Sequence, residues 1–331
     1  MKRPLFVFAG QSNMMGAAVY PASEQIYFEN SFEYLHKPRR FGEKSGEFKN
    51  YGFPCGEFCY KDLEKAYGNT TDFNTKSPLS DYGANTFFCP SMCNLENDQE
   101  KTTNPFKYYS ESNALCGTSL PPFIVKGLEE NGYPCAYTHI TKGGSKIAHF
   151  VEGRAAEYFD QKVNDFFTDC QQKFPNDDLS EKILVWLQGE SNTQIGYENY
   201  KESLKIFWER LKKNGFTKFF MIRVGYWGKD EITNIMRAQE EFCEETANAY
   251  MITRVCSFFE FKGQQNTENW FKKPITEEFT FCRDSFYGFD NQHINEKGFK
   301  KIAKYALPNI IRILFETKEP ILEEENIIPL I

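Results

Sequence analysis

Five short stretches of the chain are almost wholly apolar and rich in β-branched or aromatic residues: Leu5 to Ala9, Ala136 to Ile140, Ile183 to Leu187, Phe219 to Val224 and Tyr250 to Val255. Runs of this length predict strands covered on both faces. Between them apolar residues recur every three or four positions, the spacing of one helix face. Pro121-Pro122 opens such a helix, Ile124 and Leu128 share its face, and Gly132 closes it. Ala156, Phe159, Val163 and Phe166 make a second stripe, and Tyr197, Tyr200, Leu204, Phe207 and Leu211 a third. A fourth, Ile232, Ile235, Gln239 and Phe242, has one polar intruder. The last helix has Asn295 as N-cap, a staple of Ile294 on Phe299, and Phe299, Ile302, Ala303 and Ala306 as its core face. Strands alternating with helices predict an α/β chain: a three-layer α/β/α sandwich around a mainly parallel five-stranded sheet, with ligands bound outside the carboxyl ends of the strands.

Two segments interrupt the alternation. Residues 17 to 115 and, more briefly, 257 to 289 carry Gly, Asn, Ser and aromatic side chains without sustained periodicity, and read as loops laid over the sheet edge. The tail, 317 to 331, keeps Ile321, Leu322, Ile327, Ile328 and Leu330, so it is expected to dock on the body or on a second subunit; the oligomeric state itself is not legible. With no internal repeat, all 331 residues are expected to form one domain with a loop-rich insertion.

Charge and cysteine usage narrow the function. The formal net charge is −7, from 39 basic and 46 acidic residues, and no cluster of Lys and Arg tracks a phosphate backbone, which argues against nucleic acid. No apolar run approaches the roughly 18 residues of a membrane span. The start, MKRPLFVFAG, is too short for a signal peptide before its glycine turn, so a cytoplasmic location is expected. The ten cysteines then read as free thiols. Cys55/Cys59 and Cys89/Cys93 match a four-thiolate zinc pattern, but such pairs also arise by chance in Cys-rich loops, and no metal or cofactor is expected. The sequon Asn69-Thr70-Thr71 carries no meaning in a cytoplasmic chain.

The candidate chemistry lies where strands end. In FVFAGQSNMMG, residues 6 to 16, a glycine-flanked turn follows the first strand and presents Ser12. Such a turn lifts a nucleophile above a sheet and aims backbone N–H groups inward; equally, Ser12 can simply cap a short helix. A serine nucleophile needs a base, and the chain has four histidines. His293 lies just before the last helix, three residues after Asp290, so the aspartate can bond one ring nitrogen and leave the other for Ser12; alone, D-x-x-H is an ordinary loop. His139 falls in a strand and reads as a core histidine, and His36 and His149 read as loop residues. Two more strand ends carry uncommon turns. Thr141-Lys142-Gly143-Gly144-Ser145 offers backbone N–H donors, and Gln188-Gly189-Glu190-Ser191-Asn192 offers the Gln188 amide. Each can also be turn punctuation.

Taken together, GQSNMMG, GGSKIAHF, WLQGESN and DNQHIN, in this order from residue 6 to about 305, resemble the blocks of the SGNH-type hydrolases, in the branch of sialate O-acetylesterases and acetylxylan esterases. The resemblance implies a flavodoxin-like sandwich and a carbohydrate O-acetylesterase working without cofactor on an O-acetylated carbohydrate. It makes Ser12 the nucleophile, His293 the general base and then acid, and Asp290 its orienting partner. The N–H groups of Ser12 and Gly144 with the Gln188 amide form the oxyanion hole. Glu190, Asn192 and Gln11 bind substrate or orient neighbours, and Glu190 competes with Asp290 as acid of the triad. Ser145 and Phe150 stand where this family often has Thr and Trp, which touches substrate fit more than catalysis.

Specificity is expected in the two long interruptions. Tyr20, Phe28, Phe32, Tyr34, Phe41, Tyr51, Phe53, Phe258, Phe259 and Trp270 have flat faces suited to sugar rings, although in a chain with 17% aromatic residues most rings serve packing. Arg39, Arg40 and Arg283 are candidates for a substrate carboxylate, with surface solvation as the plain alternative. Two other functions fit the same residues: a short-chain or lipid esterase with the same triad, and a catalytically silent glycan-binding module.

Overall fold

The computed structural model describes residues 1–16, 26–36, 45–52, 119–141, 145–225, 231–259, 286 and 293–323. All five expected strands form, as β1 Leu5–Gly10, β6 Ala136–Thr141, β7 Lys182–Leu187, β8 Lys218–Ile222 and β9 Ala249–Thr253. The sheet nevertheless has seven strands, not five. Two more, β3 Phe32–Leu35 and β4 Glu47–Lys49, come from the segment read as loop, while β2 Ile26–Tyr27 and β5 Tyr51–Gly52 pair in a separate ribbon. The reason is chemical: β3 places Glu33 in the interior, 1% exposed and bonded by the Tyr137 hydroxyl at 3.0 Å, so it is no apolar run.

The strand order is β4-β3-β6-β1-β7-β8-β9, parallel throughout except for β4 against β3. β1 is therefore central, and it runs in even register with both neighbours, Gly10 level with Thr141 on one side and Leu187 on the other. The chain reverses its direction of travel across the sheet at β1, the switch point where such sheets open a crevice.

Helices α1 Ser12–Met15, α2 Pro121–Glu130, α3 Ala148–Val151, α4 Gly153–Lys173, α5 Tyr197–Lys213, α6 Glu231–Glu245 and α7 Glu296–Phe315 flank the sheet. The helical stripes read from the sequence are the buried faces: Ile124, Phe159, Leu204, Ile235 and Ile302 are all fully buried. Phe219 meets Phe207, Trp208 and Phe242 in edge-to-face contacts that lock α5 and α6 onto the sheet. Asn295 caps α7, its side chain accepting from the Gly298 N–H at 3.0 Å.

A buried charged cluster closes the ends of β8 and β9. Arg223, fully buried, donates to Glu240 (2.8 Å) and to Ser257 (2.6 Å), while Arg254 grips both oxygens of the same Glu240 at 2.7 and 2.6 Å. Burial draws the Arg223 guanidinium down to about 10 against the opposing pull of Glu240. The tail joins this cluster. Glu323 accepts from Thr253 Oγ1 and the Arg254 N–H, and Asn309 of α7 exchanges bonds with Ile321. Its described part thus docks on the body, and residues 324–331 lie outside the described residues.

Candidate active site

β1 ends at Gly10 because no side chain fits there: its φ is +150°, and a Cβ would sit 1.9 Å from the Leu187 carbonyl oxygen. The chain then turns through Gln11 into the single turn of α1. The N-cap position belongs to Gln11 rather than Ser12, and no side-chain capping bond forms. Ser12 is the first helical residue, 9% exposed, so the capping reading of this serine does not hold. α1 is anchored from below by His139, whose Nε2 N–H donates to the Met14 carbonyl at 2.6 Å. The core reading of that histidine holds. His36 is buried in the bend that follows β3, edge-on to Tyr34, as a loop residue, whereas His149 lies in α3 rather than in a loop.

Amide side chains stitch the strand ends together. Gln11 Oε1 accepts from the Ser191 N–H (3.2 Å), Gln188 Nε2 (3.3 Å) and the Gly189 N–H (3.4 Å), joining the first turn to the one after β7. Gln188 Nε2 also donates to Asn192 Oδ1 (2.6 Å) and the Ser145 carbonyl (2.9 Å). Its two hydrogens thus serve three acceptors in a fully buried position. Asn192 Oδ1 accepts in addition from the Ile147 N–H at 3.1 Å, tying the segment after β6 to that after β7, while its Nδ2 is buried with no hydrogen-bond partner among the described residues. Ser145 is buried too, and Phe150 packs edge-on to Trp186 as part of the core.

Glu190 follows Gly189, whose φ is +148° and where a Cβ would meet Ile235 at 2.7 Å. Its carboxyl is buried. Oε1 accepts from Asn13 Nδ2 at 2.7 Å, and Oε2 has no hydrogen-bond partner among the described residues. Burial pushes the carboxyl above the ordinary value of 4.5, and the Asn13 bond, nearby backbone N–H groups and the charge of His293 pull it partly back. His293 is half-buried, and the next N–H, that of Ile294, donates to Asn13 Oδ1 at 2.9 Å. Ser12, Gln188, Glu190, Asn192, Gln11 and His293 therefore stand on segments linked by this network. Gly144 and Asp290 lie outside the described residues, as do Cys55, Cys59, Cys89, Cys93, Asn69, Arg39, Arg40, Arg283, Tyr20, Phe41, Phe53 and Trp270. Among the candidate rings that are described, Phe28, Tyr34 and Phe259 are buried in packing and Phe258 is exposed.

Three residues of the network carry no role in the reading of the sequence: Asn13, Tyr200 and Gln239. The Tyr200 hydroxyl lies 2.8 Å from the Gln188 carbonyl and 3.0 Å from its Oε1, and Gln239 Nε2 donates to the same carbonyl at 2.7 Å. Gln239 did leave a signal, as the polar intruder in an apolar helix stripe. Among the described residues, no cluster of three His, Cys, Asp or Glu is placed to hold a metal, and no helix is long and apolar enough to cross a membrane.

The raised Glu190 carboxyl has a consequence for stability. Folding favours its neutral form, so its contribution is complete below about 4.5 and is lost as pH rises through the raised folded value. Glu190→Gln, which still accepts from Asn13, is expected to melt higher than the parent at pH 7 and alike at pH 4. Melting curves at the two pH values check this, and a variant less stable at pH 7 than at pH 4, relative to the parent, would refute it.

No protein-family model matches the chain, and no curated protein matches it. Among solved structures, an Arabidopsis thaliana protein is similar over 93% of this chain and 97% of its own, with 11% identity and a TM-score of 0.50. A carbohydrate acetylesterase from Xanthomonas citri is 14% identical, over 95% of this chain and 56% of that one, with a TM-score of 0.44. NanS is 11% identical, over 95% and 98%, with a TM-score of 0.48. At these identities the likeness is one of fold.

Proposed function

We propose that this chain is a serine esterase that removes O-acetyl groups from a carbohydrate. One observation carries the reading. The turn that presents Ser12, the segment of His293 and the buried carboxyl of Glu190 converge on one side chain, Asn13, above the central strand. Ser12 Oγ attacks the ester carbonyl while His293 takes its proton; the sugar alcohol leaves with that proton, and water, deprotonated by His293, releases acetate and restores Ser12. Asp290 orients the histidine. Glu190 is the second candidate for that part, supported by its burial and by its electrostatic interaction with His293. The oxyanion is met by the N–H groups of Ser12 and Gly144 with the Gln188 amide, whose two hydrogens already serve Gln11, Ser145 and Asn192, so one of them must turn from these acceptors to donate. The reaction needs no metal. The contributing segments span residues 10 to 294, which suits one domain over the whole chain.

The test is acyl release from a matched series of aryl esters, acetate to octanoate, across pH 5 to 8. Activity is expected to fall sharply beyond acetyl and to rise with pH as His293 loses its proton. A preference for long acyl chains would make the protein a lipid esterase, and a flat pH profile would remove His293 as the base.

A further inference from the structure

The proposed reaction gives no part to the buried side chain that follows its nucleophile. Asn13 follows Ser12 directly and is 1% exposed. Its Nδ2 donates to Glu190 Oε1, 177 residues away, and its Oδ1 accepts from the Ile294 N–H, 281 residues away. That N–H belongs to the peptide unit that starts at the carbonyl of His293. An amide is planar, with donor and acceptor at fixed angles, so two opposed bonds at 2.7 and 2.9 Å set its plane and thereby the separation of the groups it holds.

We propose that Asn13 is a positioning residue that holds the backbone of His293 and the carboxyl of Glu190 in register with Ser12. The proposal rests on the reading of Ser12 and His293 as nucleophile and base. Its contrast within the fold is Asn309, another buried asparagine with a bridging amide, whose partners are the Ile252 carbonyl and the backbone of Ile321. Asn309 joins inert backbone, whereas Asn13 joins the peptide of the base to an ionisable carboxyl. Among the described residues, His293 acts on that carboxyl, and the carboxyl in turn acts on Tyr200 of α5 and Cys256 in the turn after β9.

Asn13→Ala and Asn13→Asp in the full chain separate positioning from plain support, with Asn309→Ala as the control. Asn13→Ala is expected to lower kcat about 100-fold with KM within about threefold, the cost of a misplaced base. The NMR titration of the His293 ring is expected to move in opposite directions in the two variants. In the alanine variant Glu190 loses its donor, stays protonated to higher pH and no longer lends its negative charge to the imidazolium, so the His293 pKa falls. In the aspartate variant an added carboxylate raises it. Asn309→Ala is expected to lower Tm with neither effect. Unchanged kcat, or a His293 titration that is unmoved or moves alike in both variants, would overturn the proposal. A parent that releases no acetate would instead remove the esterase reading, and the titrations would still decide whether Asn13 couples to His293.

Discussion

Ser12→Ala is expected to abolish acetate release from whichever of an O-acetylated sialoside, acetylated xylan and an aryl acetate the parent hydrolyses best, with kcat falling about 10⁴- to 10⁶-fold. The effect is large because a serine nucleophile and its base act as one unit, and what remains is the background supplied by binding and oxyanion donors. Few other effects of the substitution compete with it. Ser12 makes no capping bond, and the flanking Gln11 and Asn13 carry the network, so Tm should move little. Equal activity in parent and variant would remove Ser12 as the nucleophile. Equal inactivity would point to a glycan-binding module, tested next by binding to the same sugars.

Glu240→Ala should be the most damaging single change away from the site, costing about 3–5 kcal/mol in urea unfolding. The carboxylate serves two guanidinium groups, and that of Arg223 is fully buried. Removing it takes from the buried Arg223 cation the carboxylate 2.8 Å away, a loss relieved by letting water in or by opening the ends of β8 and β9. Glu240→Gln keeps hydrogen-bond acceptance without the charge and should fall between parent and alanine. A loss under about 1 kcal/mol for the alanine variant would mean that the cluster is already solvated.

Much of the fold is legible in the sequence because its central strands are covered on both faces. Leu5 to Ala9 and Ile183 to Leu187 have no polar position to obscure them. β3 escaped because its core place is held by Glu33, and β4 because its three residues are only half-buried at the sheet edge. The candidate site is legible as far as residue type carries chemistry: Ser12, His293 and Glu190 are types that can act as nucleophile, base and acid, and the proposed reaction rests on them. Asn13 is not legible in this way, because its importance lies in which distant atoms it bridges, and a sequence pattern reports periodicity rather than partners. Arg223, inside the run Phe219 to Val224, was passed over for a related reason: its carboxylate partner lies on another element and leaves no local pattern.

The central place of β1 bears on how the molecule is made. Its partners β6 and β7 are encoded from residues 136 and 182 onward, so β1 has no native strand beside it until β6 has followed, and is paired on both sides only after residue 187. Through that interval the apolar segment Leu5 to Ala9 is an unpaired edge, the kind that seeks another copy of itself. Chaperone capture of nascent chains should therefore centre on β1, and slowing synthesis after residue 10 but before residue 187 should cost more soluble protein than slowing it later.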